Sequence, residues 1–308
     1  MKSINIVVPC YNEENSLLEL YKRLKEVTST IENYQFNFVF VNDGSKDKTL
    51  DVIRKLCDEN SDCGYISFSR NFGKEAAMHA GLVRSKDKDA LIFIDADLQH
   101  NPKHIKDFIT YYEEGYKIVY TRKKKRNESA LKKFLTKMFY IIFFKLTKLK
   151  LESGLNDYQL LDQRAIQAYL SVNDKDRFLK GIFSYVGFNK KCIDIDIDPR
   201  FAGKTSFNFR KLFKYAFVGI NQFSDFLLLV PKWSAIITVL LSVYNIIQYF
   251  FLESYFQTKG QLFYALQNNI LFFLLFVSIY FMMYLLYSTR KDLKDRPIFI
   301  VEEEKIND

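Results

Sequence analysis

Between Trp233 and Leu252 the chain carries no Asp, Glu, Lys or Arg. At about 1.5 Å of rise per residue, a helix of that length reaches across a hydrocarbon core about 30 Å thick. The run Ile270–Tyr287 is likewise free of these residues, and uncharged sequence extends back to Gln261. Leu, Ile, Phe and Val each favour insertion by about 0.3–0.6 kcal/mol. A hairpin of two membrane spans is therefore expected, in preference to a pair of buried helices. The connection near Glu253–Gly260 holds only Lys259, whereas Arg290, Lys291, Lys294 and Arg296 follow the second run and Lys214 and Lys232 precede the first. The positive-inside rule then puts both termini and everything before the hairpin in the cytoplasm.

The preceding 230 residues follow another pattern. Short apolar runs at Ile4–Val8, Phe36–Val41, Tyr65–Phe68, Ala90–Ile94 and Lys117–Tyr120 alternate with helical periods near 14–32, 48–60, 74–84 and 102–114. Such alternation predicts an α/β domain with a mostly parallel, doubly wound, Rossmann-like sheet. Ligands of such sheets lie beyond the carboxyl ends of the strands. The start of the chain is not a signal peptide, because its apolar run is short and meets Pro9 at once. The four Cys residues, Cys10, Cys57, Cys63 and Cys192, form no CxxC pair and fit reduced cytosolic thiols.

Two basic stretches suggest helices lying on a membrane surface. Ser129–Leu151 interleaves six Lys with Phe134, Met138, Phe139, Ile142 and Phe143. Phe207–Phe226 sets Arg210, Lys211 and Lys214 among aromatic residues. The competing reading of each is an amphipathic helix docked on the sheet. The expected division is a cytoplasmic domain over 1–228, the hairpin over 229–288 and a cytoplasmic tail over 289–308.

Chemistry concentrates in turns that follow strands. No GxGxxG or HExxH occurs, and the Walker-like Gly203-Lys204-Thr205 has Asp198 where a P-loop needs its first glycine. Asp95-Ala96-Asp97 follows the run Leu91–Ile94 directly, with Gln99 two residues on. Hard carboxylate oxygens at a strand end suit Mg²⁺ or Mn²⁺, which in turn bridge to a diphosphate. Pro9-Cys10-Tyr11-Asn12-Glu13 and Asn42-Asp43-Gly44-Ser45 follow the first and second strands. Each alone reads equally well as turn chemistry. Together they place three acidic turns on one edge of one sheet.

The segments Val8–Glu14, Val41–Asp47, Ser69–Glu75 and Asp95–His100 together resemble the family-2 glycosyltransferases with a GT-A fold. Asn156–Leu161, Arg177–Gly181 and Arg200–Thr205 narrow the resemblance to the polyprenyl-phosphate subgroup, which includes bactoprenol glucosyltransferases and dolichyl-phosphate mannose synthases. The resemblance spans almost the whole chain, and two C-terminal spans match the bactoprenol branch.

It implies a GT-A catalytic domain that transfers a hexose, with inversion, from a nucleotide-diphosphate sugar to a polyprenyl phosphate such as undecaprenyl phosphate. UDP-glucose is the first expectation for the donor. UDP-galactose, N-acetylated sugars, aminoarabinose and GDP-mannose stay open. In this resemblance Pro9, Tyr11, Glu13, Asp43, Lys74 and Asp95 bind the nucleotide sugar. Asp95, Asp97 and Gln99 hold Mg²⁺ or Mn²⁺, and Asp97 and Asp157 are catalytic, Asp157 as the proposed base. Arg122, Arg126, Arg200 and Lys204 grip the acceptor phosphate. It also implies a homo-oligomer, with a tetramer foremost, in a bacterial inner membrane.

Rival readings are weaker. A processive polysaccharide synthase needs a QxxRW motif, and the only Trp is Trp233 at the start of an apolar run. A net charge of +9 permits nucleic-acid binding, yet the acidic turns would repel a phosphate backbone. A scaffold with a degenerate transferase domain does not explain the intact Asp43, Asp95, Asp97 and Asp157. The excess positive charge gathers at residues 122–150, 200–214 and 290–296, where an anionic leaflet and a lipid phosphate would lie; no nucleic-acid partner is expected.

Overall fold

The computed structural model describes residues 1–124, 130–152, 154–172, 174, 178–196, 219–224, 226–251, 259–294 and 296–306. They form two compact units. One comprises Met1–Phe144, Lys148–Tyr215 and Pro297–Asp308, and the other Lys145–Thr147 and Ala216–Arg296.

In the first unit an eight-stranded sheet is built from β1 (Lys2–Cys10), β2 (Tyr34–Asn42), β3 (Cys63–Phe68), β4 (Ala90–Phe93), β5 (Ile118–Lys123), β6 (Leu155–Asp162), β7 (Lys190–Ile195) and β8 (Val301–Lys305), in the order β7-β5-β6-β4-β1-β2-β3-β8. Only β6 and β8 run against the rest. The mostly parallel α/β sheet and the five expected strands are therefore present; β6, β7 and β8 are additions. Val301-Glu302-Glu303-Glu304-Lys305 has no apolar alternation, which explains why periodicity misses β8.

The helices of this unit are α1 (Leu17–Thr28), α2 (Thr49–Glu59), α3 (Lys74–Arg84), α4 (His104–Glu113), α5 (Ala130–Thr147, its last three residues counted with the other unit), α6 (Gln163–Ser171) and α7 (Leu179–Tyr185). In α1, Leu17, Leu20, Tyr21, Leu24 and Thr28 are buried at helical spacing, so one stripe faces the sheet. β1 is buried on both faces, with Ile4, Ile6, Val7 and Val8 excluded from solvent, as a central parallel strand requires. Helix α3 lies close to β1 because residue 81 is glycine: a Cβ there would sit 2.3 Å from Val7 Cγ1. The side chain of Asp162 caps α6 by accepting from Ala165 N at 2.8 Å. All four Cys residues are free thiols.

The predicted surface helix at 129–151 is α5. Phe143 is buried and its ring lies 5.9 Å from that of Phe178, while Met138, Ile141, Ile142 and Phe144 are exposed. The other predicted surface stretch, Phe207–Phe226, lies mostly outside the described residues; 219–223 are helical.

The second unit contains α8 (Phe226–Phe251) and α9 (Lys259–Leu293). They run antiparallel. Ser234 of α8 hydrogen-bonds Ser278 of α9, and Leu241, further along α8, accepts at 3.4 Å from Gln267, further back on α9. Among the described residues one helix, Leu266–Arg290, is long and apolar enough to cross a membrane, and Leu229–Tyr244 is a shorter apolar helix. The two-span expectation is thus met in full by one helix only.

After α9 the chain returns to the sheet. β8 pairs with β3 through Tyr65↔Lys305, Ile66↔Glu304 and Ser67↔Glu303. Ser69 N donates to Ile300 O at 3.1 Å, and the Phe299 ring stacks on Phe68 with centroids 4.8 Å apart.

Candidate active site

The parallel strands β1, β2, β3 and β4 all release their chains at one edge, where the three acidic turns stand together. Register places Cys10 beside Asn42. The turns then knit: Asn12 N donates to Ser45 Oγ at 3.0 Å, Lys46 N to Asn12 Oδ1 at 2.9 Å, and Glu13 N to Thr49 Oγ1 at 2.8 Å. Pro9, next to last in β1, stands beside Val41, Tyr11 is exposed, and Glu13 accepts from Ser16 Oγ.

Asp43 is 3% exposed. Its carboxylate accepts from Phe72 N at 2.7 Å, from Gly73 N at 2.9 Å and from Asn71 Nδ2 at 2.9 Å. Burial pushes this carboxyl up, and the two backbone donors pull it only part of the way back. The side chain therefore anchors the loop after β3. Gly44 makes the close approach possible: it adopts φ 61°, and a Cβ would lie 2.3 Å from the Arg70 carbonyl carbon.

The second cluster forms across β4 and β6. Phe93 pairs with Gln159 in this antiparallel ladder, so two residues further on Asp95 comes level with Asp157. Lys74, the first residue of α3, fills the space between them. Its Nζ lies 2.6 Å from Asp95 Oδ1 and 2.5 Å from Asp157 Oδ2. Burial opposes the charge on Lys74, but Asp157 and Asp95 outweigh it and raise the pKa. Burial likewise opposes ionisation of Asp157, but Lys74, then Lys180, outweigh it and hold the carboxyl below its usual range. A carboxylate so held is a weak proton acceptor. Asp97 accepts from Gln99 N at 3.1 Å, and Leu98 between them has φ 60°. A non-glycine residue in that region is a strained position of the kind found at functional turns.

Asp95, Asp97 and Gln99 offer hard oxygens on one turn. Among the described residues no three His, Cys, Asp or Glu side chains converge as a ready-made metal cage. An ion such as Mg²⁺ or Mn²⁺ can be held by as few as one or two carboxylates, with the remaining ligands drawn from diphosphate and water.

Arg122 lies on β5 opposite Asp194 of β7. They form a two-pronged pair, Nε to Oδ1 at 2.7 Å and Nη2 to Oδ2 at 3.1 Å, and Lys124 pairs with Asp196 at 2.9 Å. Part of the basic run is therefore balanced by β7. Arg126, Arg200 and Lys204 lie outside the described residues.

Sequence reasoning assigned no role to His100, whose ring is buried with Nδ1 3.9 Å from Asp95 Oδ2. Burial lowers its pKa against the pull of Asp95 and Asp97. It also missed Asn71, Phe72 and Gly73 as partners of Asp43, and Asp194. The period-two charges Arg122/Lys124 and Asp194/Asp196 were the available signal for the last.

Comparison with known proteins places this geometry. The profile described as Glycosyl transferase family 2 matches residues 5–166. The glycosyltransferase sll0501 of Synechocystis sp. is 38% identical over 232 residues, covering 75% of this chain and 72% of its own. The prophage bactoprenol glucosyl transferase homolog of Escherichia coli K12 is 34% identical over 241 residues, 78% of each chain. The bactoprenol glucosyl transferase of Shigella phage SfV is 34% identical over 224 residues, 72% of each. With its mostly parallel sheet and acidic turns at the carboxyl edge, the chain is a glycosyltransferase and belongs to glycosyl transferase family 2.

Proposed function

We propose that this enzyme transfers a hexose from a nucleotide-diphosphate sugar to a polyprenyl phosphate, inverting the anomeric centre, with UDP-glucose as the first donor to test. The observation that carries this reading is the cluster of Asp95, Lys74 and Asp157 at the carboxyl edge of the sheet. The relatives named bactoprenol glucosyl transferases supply the acceptor class.

A phosphate oxygen of the acceptor attacks the anomeric carbon, the bond from that carbon to the diphosphate oxygen breaks, and the nucleoside diphosphate departs with the electron pair. A divalent ion bound by Asp95, Asp97 and Gln99 would supply positive charge to the leaving diphosphate. A phosphate monoester has a second pKa near ~6, so the attacking oxygen is mostly deprotonated at neutral pH. Asp157, held ionised by Lys74, then serves to orient rather than to take a proton. Arg122, with Arg126, Arg200 and Lys204, gives the acceptor phosphate its cations.

Chain topology supports two crossings. The chain leaves the catalytic unit before α8 and rejoins it at β8. A chain that starts and ends on one side of a membrane crosses it an even number of times. If α9 crosses, a second crossing is needed, and its antiparallel neighbour α8 is the helix available. With the exposed apolar face of α5 on the bilayer surface, the catalytic unit lies on the cytoplasmic side of a bacterial inner membrane.

The test incubates purified protein with undecaprenyl phosphate, Mg²⁺ and a panel of UDP- and GDP-sugars, and detects glycolipid by mass spectrometry. Product with one donor supports the reading. No product with any donor defeats it.

A further inference from the structure

Lys74 stands where the chemistry of the site has most need of a cation. Its Nζ reaches Asp95 Oδ1 at 2.6 Å and Asp157 Oδ2 at 2.5 Å. The other oxygen of Asp95 faces the buried His100 ring at 3.9 Å. A divalent ion held by Asp95 would meet the ammonium already seated on its carboxylate. Two cations cannot both hold it without strong repulsion. The flexible stem of lysine lets the ammonium move.

We propose that Lys74 is a placeholder cation: it occupies the space between Asp95 and Asp157 until a nucleoside diphosphate arrives, and it yields Asp95 to the divalent ion only then. The diphosphate offers the ammonium new oxygens, Asp95 would pass from the ammonium to the metal while Asp157 keeps Lys74, and metal and nucleotide enter as a coupled pair. This rests on the metal-dependent transfer proposed above.

The coupling is read without turnover. Mn²⁺ binding to the full-length protein in detergent is followed by electron paramagnetic resonance, with and without UDP or GDP, for the wild type, Lys74→Gln and Lys74→Arg. Thermal melts check that each variant folds. The expectation is that nucleotide tightens Mn²⁺ binding in the wild type by at least about tenfold, within the range of ordinary coupling between sites. Lys74→Gln should bind Mn²⁺ at least about tenfold more tightly than the wild type without nucleotide and lose most of the coupling. Lys74→Arg, which keeps the charge, should keep the coupling.

Lys74→Gln that folds yet gains no nucleotide-free affinity, beside a wild type that binds Mn²⁺ with UDP or GDP, overturns the placeholder and leaves the transferase reading standing. A wild type that binds Mn²⁺ as tightly alone as with nucleotide overturns it even if the glutamine variant fails to fold. A wild type that binds no Mn²⁺ under any condition removes the metal-dependent reading itself, and the placeholder with it.

Discussion

Arg54 and Glu303, 249 positions apart, form a two-pronged ion pair, with Nε to Oε1 and Nη2 to Oε2 both at 2.9 Å. The pair ties α2 to β8. Lys305 adds a bond to Asp58 at 2.7 Å. Arg54 is exposed and Glu303 about one-third exposed (44% and 32% of their side chains), so screening by solvent limits the pair's worth to about 1 kcal/mol or less. Arg54→Ala should therefore leave the melting temperature nearly unchanged. It should speed hydrogen exchange at Ser67 and Ser69, the β3 end of the ladder. Unchanged exchange there would show that the strand pairing and the Phe68–Phe299 stack hold β8 without the ion pair.

Gly44→Ala tests how the turn after β2 holds the loop after β3. The new Cβ meets backbone, which cannot swing aside as a side chain can. A loss of about 1–3 kcal/mol in urea unfolding is expected, together with weaker nucleotide binding, because the Asp43 contacts to Phe72 and Gly73 must stretch. Retained stability with unaltered nucleotide affinity would show that the loop accommodates the methyl group.

Asp157→Asn separates orientation from proton transfer. The carboxyl is held below its usual range, so it is ionised throughout pH 5–8 and contributes no step there. The acid limb of kcat/KM should come from the acceptor phosphate, which gains a proton as pH falls through about 6. The variant should lose about a hundredfold in turnover, the scale of a misplaced reactant, with the limb unmoved. A limb that vanishes or shifts by a full unit in the variant would make Asp157 the base.

Lys190 gives a pH signature in the fold itself. Burial lowers its pKa to about 8 despite Glu152. Its amine donates to Phe183 O and lies 4.1 Å from the centre of the Phe183 ring. Between about pH 8 and the unfolded pKa near 10.4 the unfolded chain binds more protons than the folded one, so this residue adds stability as pH rises and withdraws it as pH falls through 8. Melting temperatures of wild type and Lys190→Met, compared from pH 7 to 10, should therefore shift in favour of the wild type with rising pH. A constant difference would place the amine in water.

Topology can be read by thiol labelling in intact cells. Ser254→Cys, between α8 and α9 in sequence, should react with a membrane-impermeant reagent added outside. Ile306→Cys should react only after permeabilisation. Labelling of both from the same side would exclude the two-span hairpin.

Much of this architecture was legible before folding was considered. The runs that became β1 to β5 are β-rich and bounded by turn residues, and Asp43, Asp95 and Asp97 stand just past strand ends. Asp157 lies instead inside β6, and only antiparallel register against β4 brings it to Asp95. The resemblance gives Lys74 to the nucleotide sugar; its seat between two carboxylates is a separate relation that crosses 83 positions and leaves no local pattern. Gly44 looked like an ordinary turn glycine; the crowding that demands it comes from Arg70.

The β8–β3 ladder also imposes an order on assembly. Without β8, β3 would be an edge strand whose outward N–H and C=O groups invite any extended chain. Its native cover, β8, is synthesised only after both apolar helices. Until then the catalytic sheet carries an open flank, and a chain halted before residue 301 would keep that flank as a sticky site. Synthesis of Val301–Lys305 thus doubles as protection of β3 against edge-to-edge aggregation.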